Sequence, residues 1–193
     1  MKKTVLLVII ASAFLAFKEN KPPEILSKIL DKHGGINSWR KAQALSFNKG
    51  KEIHTVDLHS RKTIINTTKY SLGFDGEAVW LDEIEKGTYK GNPTFYYIQY
   101  FYFYAMPFVL ADTGIIYKKV DDLVFECTTY PDYKISYKAN IDASSDDTYK
   151  VYFNSKTYQM EWFVFIVIFA AKESNNDYHL LKYNKWEDVD GFL

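Results

Sequence analysis

Between Thr94 and Ala111 almost every side chain is apolar or aromatic. Phe95, Tyr96, Tyr97, Ile98, Tyr100, Phe101, Tyr102, Phe103 and Tyr104 run into Ala105-Met106-Pro107-Phe108-Val109-Leu110-Ala111, and Gln99 is the one plainly polar side chain among them. Asn92-Pro93 is a start signal, Pro107 an interruption, and the distance between them suits a helix of about three turns. Such a helix has no wet face, so it must be buried on more than one side or border a cavity. An interfacial membrane helix is the competing reading, and the absence of Lys or Arg on a polar face counts against it.

The rest of the chain supplies what such a helix can lie on. Aromatic residues make up 18% of 193, the share that departs most from an average protein, and rings pack well on pleated sheets. Tyr70, Leu72 and Phe74 alternate with Ser71, Gly73 and Asp75; Asp75-Gly76 reads as a two-residue hairpin loop pairing Phe74 with Glu77. Tyr70, Leu72, Phe74, Val79 and Leu81 then share one face. Further strands are expected around Leu45, over Tyr133–Ala139, Tyr149–Phe153, Tyr158–Phe169 and Tyr178–Glu187. In the strand opening at Tyr158, Met160, Trp162, Val164 and Ile166 are expected to point one way and Gln159 and Glu161 the other. Ahead of the strands, Ile25, Leu26, Ile29 and Leu30 form one apolar stripe between Pro23 and Gly34-Gly35, which predicts a helix over 23–33; a short helical turn follows near Asn37–Ala42.

The amino terminus reads as an address. Lys2 and Lys3 precede a 13-residue apolar run, Val5 to Phe17, with small residues near its end. It falls short of the about 20 residues a spanning helix needs, so a cleaved signal over 1–16, cut after Ala13 or Ala16, is favoured over a retained anchor. No cysteine follows it for lipidation, so a soluble product, periplasmic or secreted, is expected. The remainder, 17–193, reads as one domain. Phe192-Leu193 reads as the start of a further strand, hence a chain cut short at its carboxyl end.

Charge narrows the partners. Lys and Arg total 24 and so do Asp and Glu, which provides no general attraction to nucleic acid. The single cysteine, Cys127, precludes an intramolecular disulfide, and its strand-like surroundings predict a buried, inert thiol. His54-Thr55-Val56-Asp57-Leu58-His59 invites a metal reading, but a strand sends His54 to the face of Val56 and Leu58, and only Asp57 and His59 could converge. Asp142–Asp147 lacks the spacing of a calcium loop and reads as a solvated turn. No nucleophile elbow, phosphate loop or paired-cysteine motif is present, so neither a catalytic role nor a cofactor is expected.

Four segments, in this order, carry a resemblance: His33-Gly34-Gly35 with Trp39; Phe74-Asp75-Gly76-Glu77-Ala78-Val79-Trp80; Ala105-Met106-Pro107-Phe108-Val109-Leu110-Ala111-Asp112; and Trp186-Glu187-Asp188-Val189-Asp190-Gly191-Phe192. Together they resemble the LolA-like superfamily of periplasmic lipoprotein carriers, and more closely its uncharacterised exported members. The resemblance implies a mainly β (α+β) fold: a strongly curved antiparallel sheet forming an incomplete barrel, with helices covering a concave apolar side that accepts acyl chains. Under that expectation Tyr100, Phe103, Tyr104 and Phe108 face Leu72, Phe74, Met160 and Trp162 across an elongated pocket. The expected activity is non-catalytic binding of a lipid, acyl chain or other amphipathic small molecule by a monomer, with an envelope protein as a further partner. The alternative is an envelope structural or interaction protein whose core is filled by its own side chains; an enzyme ranks last.

Overall fold

The structure is a computed structural model and describes residues 22–137, 148–166 and 179–193. The signal segment and the Asp142–Asp147 loop lie outside the described residues.

The chain opens with α1 (Glu24–Lys32) and α2 (Ile36–Lys41). Leu26, Ile29 and Leu30 of α1 are buried, the stripe expected from their spacing. Between the two helices His33 is fully buried. Its Nδ1 lies 2.7 Å from the Ile29 carbonyl, which can only accept, and its Nε2 lies 3.4 Å from the Met160 amide, which can only donate. The ring is therefore neutral, with its proton on Nδ1. Burial pushes its pKa down, against the pull of the Ile29 hydrogen bond.

The fold is mainly β and antiparallel. β1 (Ala44–Lys49), β2 (Glu52–Asp57), β3 (Thr63–Asn66), β4 (Tyr70–Phe74) and β5 (Val79–Glu83) form one five-stranded meander in chain order. α3 (Pro93–Tyr104) and a 3₁₀ turn (Phe108–Ala111) follow. A second five-stranded sheet is built from β6 (Ile115–Lys119), β9 (Asp132–Tyr137), β10 (Thr148–Phe153), β11 (Met160–Ile166) and β12 (His179–Lys182). Between β6 and β9 sits a separate hairpin, β7 (Leu123–Phe125) and β8 (Thr128–Tyr130). Instead of one continuous curved sheet there are two open meanders, neither closed nor strongly curled.

α3 begins where Asn92 and Pro93 signal it: Asn92 Oδ1 accepts from the Thr94 amide and Pro93 takes the first turn. The helix lies against β3, β4 and β5. Its far side meets the second sheet, where Phe103 contacts Phe163 and Phe165, and its main-chain carbonyl accepts from the Tyr183 hydroxyl at 2.8 Å. The continuous core joins Leu26 and Leu30 of α1, Val56 of β2, Phe101 of α3 and Ile135, Val151, Phe163 and Phe165 of the second sheet.

Several local expectations need correction. The hairpin between β4 and β5 pairs Phe74 with Val79, not with Glu77. Asp75 Oδ1 accepts from the amides of Glu77 and Ala78, drawing them into a four-residue loop. A shift of two residues preserves side-chain parity, so Leu72, expected opposite Val79, pairs with Leu81 on the same face. Cys127 is exposed, not buried: with Glu126 it forms the two-residue turn between β7 and β8, both at positive φ. The strand expected from Tyr178 to Glu187 ends at Lys182 as β12, His179–Lys182, and Tyr178 lies outside the described residues. Phe192 pairs with Val189 across an isolated bridge around Asp190-Gly191 rather than opening a strand.

The largest correction concerns β11. Tyr152 pairs with Trp162 but Phe153 pairs with Met160, so Glu161 is a bulge residue. The bulge resets the alternation. Met160, Phe163 and Phe165 face the core, whereas Trp162 lies on the opposite face, its ring 6.1 Å from Phe125 and under the Lys182 ammonium. Trp162 therefore stands apart from α3 and leaves the expected pocket.

Candidate functional site

The eight residues expected to line one pocket do not converge on one place. Tyr100 and Phe103 sit edge to face on α3 at 5.7 Å, and Phe103 continues to the Phe163 and Phe165 rings. On the other side of α3, Phe74 packs 5.3 Å from Tyr97, and Leu72 is fully buried in the first sheet. Tyr104 stacks on Phe47 at 4.0 Å yet remains 51% exposed. Met160 is buried beneath His33. Phe108 belongs elsewhere: it stacks on Trp39 at 4.5 Å and meets Phe192 edge-on at 5.6 Å.

That last trio brings together three of the four segments that carry the sequence resemblance. Trp39, Phe108 and Phe192 come from three of them and form one aromatic cluster, with Gly34 beneath it. Gly34 has φ +114°, and a Cβ there would fall 2.4 Å from the Gly191 carbonyl oxygen and 2.9 Å from the Phe192 ring. The Leu193 amide donates to the His33 carbonyl at 3.2 Å. These segments hold the two chain ends of the fold together, which is a packing role.

Chemistry gathers at the opposite end of the first sheet, under the amino-terminal half of α3. β1 and β2 are joined by the two residues Gly50 and Lys51, which sets Lys49 opposite Glu52, and the period of two sets His54 on the same face as Glu52. Glu52 is surrounded by donors. Its Oε1 accepts from the Tyr70 hydroxyl at 2.8 Å; its Oε2 accepts from the Tyr96 hydroxyl at 2.6 Å and from His54 Nε2 at 3.0 Å. Lys49 Nζ donates to Tyr96 Oη at 2.6 Å and lies 3.5 Å from Glu52 Oε2. Burial works to raise the Glu52 pKa, but the hydrogen bonds from Tyr96, His54 and Tyr70 and the Lys49 charge together hold it below the usual carboxylate range. Burial lowers the pKa of His54, which stays neutral and donates to Glu52 through Nε2. Burial and the Glu52 charge push the Tyr70 and Tyr96 hydroxyls up, so both remain donors.

Tyrosine rings wall this cluster. Tyr96 and Tyr100, one helical turn apart, lie edge to face at 5.4 Å; Tyr89 stands 6.0 Å from Tyr96 and 5.1 Å from Tyr70. The Tyr89 hydroxyl is buried without a hydrogen-bond partner. His54 stacks on Phe47 at 4.8 Å and meets Tyr100 at 5.8 Å. Apart from Tyr100, these residues were absent from the sequence-derived pocket. The spacing of Glu52 and His54, with Lys49 across a short hairpin, is a sequence signal that could point to them.

As for metal ligation, His54 lies on the core face with Val56, while Asp57 Oδ1 caps the following turn by accepting from the amides of His59 and Ser60. Among the described residues no group of three His, Cys, Asp or Glu side chains converges. Among the same residues no helix is long and apolar enough to cross a membrane.

A family model described as a family of unknown function, DUF6503, matches residues 36–192. No curated protein and no solved structure matches the chain. The chain belongs to the DUF6503 family.

Proposed function

We propose that this DUF6503 member is an exported, non-catalytic protein that shelters an apolar or amphipathic ligand, a lipid or acyl chain, along α3. In this reading the two meanders act as the halves of an incomplete barrel, as the LolA-like resemblance suggests, and the signal segment directs the protein to the periplasm or beyond. The observation that carries the proposal is the mismatch between the composition of α3 and its burial. The helix is apolar all round, yet Phe101 is its one fully buried residue; Tyr96, Tyr97, Ile98, Tyr100, Tyr102 and Phe103 are half-buried. A helix of this kind exposes ring surface that an alkyl chain can cover, at about 25 cal/mol for each Å² removed from water. The tyrosine hydroxyls supply polar contacts at the edge of that surface.

A second reading, an envelope interaction protein with a self-filled core, draws on the close packing of Phe103 with Phe163 and Phe165 and of Tyr149 with Phe163. Native mass spectrometry of the purified mature protein, followed by titration with dodecanol and palmitate, separates the two. Binding predicts a co-purifying lipid or saturable one-to-one complexes. Absence of both overturns the proposal in favour of the self-filled core.

A further inference from the structure

The Lys49 side chain sits in an environment of the kind that recognises organic cations. Its Nζ lies 4.3 Å from the centre of the Tyr100 ring and 5.1 Å from that of Tyr96, with the Glu52 carboxylate at 3.5 Å. One aromatic face, that of Tyr100, a phenol oxygen, that of Tyr96, and a carboxylate around an ammonium are elements of a cation-binding cage. The cage does not depend on Lys49 for its assembly. Tyr70, Tyr96 and His54 each donate directly to Glu52, the Tyr96 and Tyr100 rings brace one another, and His54 stacks on Phe47.

Lys49 reaches the cage from its rim, donating to Tyr96 Oη at 2.6 Å. Its side chain is 34% exposed at the end of β1, beside the Gly50-Lys51 turn. An ammonium on a flexible four-carbon stem can swing into solvent when a competing cation takes its place beside Tyr100 and Glu52. Were it to leave, Glu52 would remain ionised among tyrosine side chains, with a negative charge that no other lysine or arginine among the described residues pairs with. An incoming anion would have to lie beside Glu52, whereas an incoming cation takes the position Lys49 now fills.

We propose that Lys49 is a tethered occupant of an exchangeable cation site, and that the Tyr96–Tyr100–Glu52 cage receives the ammonium or trimethylammonium head group of an amphipathic ligand. The inference rests on the reading of α3 as the ligand-bearing helix, since Tyr96 and Tyr100 belong to its first two turns and a tail attached to the head group would continue along it.

The test uses the mature protein and three probes of equal chain length below their micelle concentrations: dodecyltrimethylammonium, dodecanol and dodecyl sulfate. Tetramethylammonium serves as a fourth, tailless probe. Affinities come from calorimetry, and occupancy of the cage from NMR shifts of the Tyr96 and Tyr100 rings. The wild type should bind the cationic amphiphile more tightly than the uncharged one. Lys49→Ala should tighten the cation by about tenfold, the scale of one desolvated cation–π contact, and leave dodecanol unchanged. Glu52→Gln should abolish the preference for the cation. Lys49→Gln provides the same comparison should the alanine variant fail to fold. Tighter binding of dodecyl sulfate that is lost with Lys49 overturns the proposal by making Lys49 itself the head-group contact. Equal affinity for all three amphiphiles, with no response to tetramethylammonium, overturns the cage while leaving the apolar site intact. Failure of dodecanol and the cationic amphiphile to bind, with tetramethylammonium still shifting the tyrosines, supports the cage and overturns the reading of α3.

Discussion

His33 Nε2 accepts the main-chain N–H of Met160, a residue 127 positions further along the chain and the first of β11. The bond ties the end of α1 to the bulged strand, and it exists while the imidazole is neutral, because a protonated Nε2 has no lone pair to offer.

The pH dependence of stability follows from that geometry. Burial lowers the His33 pKa below the ordinary 6.5, and the same holds for His54. As pH falls through about 6.5 the unfolded chain binds protons that the folded chain refuses, so stability present above that pH is lost progressively below it. Glu52, also lowered, extends the loss when pH falls through and below the ordinary 4.5. Thermal midpoints at pH 5, 6, 7 and 8 should be level above pH 7 and fall on acidification. His33→Gln retains an acceptor for the Met160 amide but does not titrate, and it should flatten the slope between pH 6.5 and 5. An unchanged slope would show that His33 does not contribute.

Gly34 and Gly35 separate backbone strain from packing. Both have positive φ, so alanine at either meets the same kind of conformational penalty, about 1 kcal/mol or somewhat more. A Cβ at Gly35 meets nothing within 4 Å, whereas one at Gly34 strikes the Gly191 carbonyl and the Phe192 ring. In urea denaturation Gly34→Ala should cost about 2 kcal/mol more than Gly35→Ala, within the range for forced overpacking. Similar losses for the two variants would mean that the carboxyl-terminal turn moves aside.

Much of the frame was legible in the residues. α1 announced itself through its apolar stripe and α3 through Asn92-Pro93, because capping and helical period act within a few residues. The faces of β4 and β5 survived an error in the loop because a slip of two leaves parity intact. What failed was what local pattern cannot encode. Alternation across Glu161 carries no mark of the bulge that turns Trp162 away from Met160. Glu126-Cys127 lacks the glycine or asparagine that normally betrays a tight hairpin, so Cys127 read as a strand residue. The site was half legible for a related reason. Tyr100 and Phe103 stand out in a run of rings, but the Glu52 cluster draws Lys49, Tyr70, Tyr89 and Tyr96 from four separate segments, and only folding brings them together.

Cys127 gives a direct check of the turn. The chain holds one cysteine, and it is exposed at the tip of the hairpin formed by β7 and β8. Ellman's reagent should titrate one thiol per folded chain, at a rate within a few-fold of that in denaturant. Protection by orders of magnitude would return the thiol to the interior.

The bulge at Glu161 makes the sharpest distinction between the alternating pattern and the fold. Glu161 is fixed on both sides, accepting from the Tyr130 hydroxyl at 2.7 Å and from the Asn154 side-chain amide at 3.0 Å, while its carbonyl accepts from the Tyr183 amide at 2.8 Å. Those bonds hold the extra residue in place, so Phe163 enters the core against Phe103, Tyr149 and Phe165, where it is fully buried. Trp162 is half-buried on the other face, between Phe125 and Lys182. Simple alternation from Met160 assigns the two rings the reverse positions. Phe163→Ala should therefore cost about 3–5 kcal/mol, as a large core truncation does, and Trp162→Ala distinctly less, about 1–2 kcal/mol, because its site is open to water and can collapse. Chemical denaturation of both variants at one pH reads the difference. A larger loss for Trp162→Ala would mean that the strand runs without its bulge and that Trp162 faces α3.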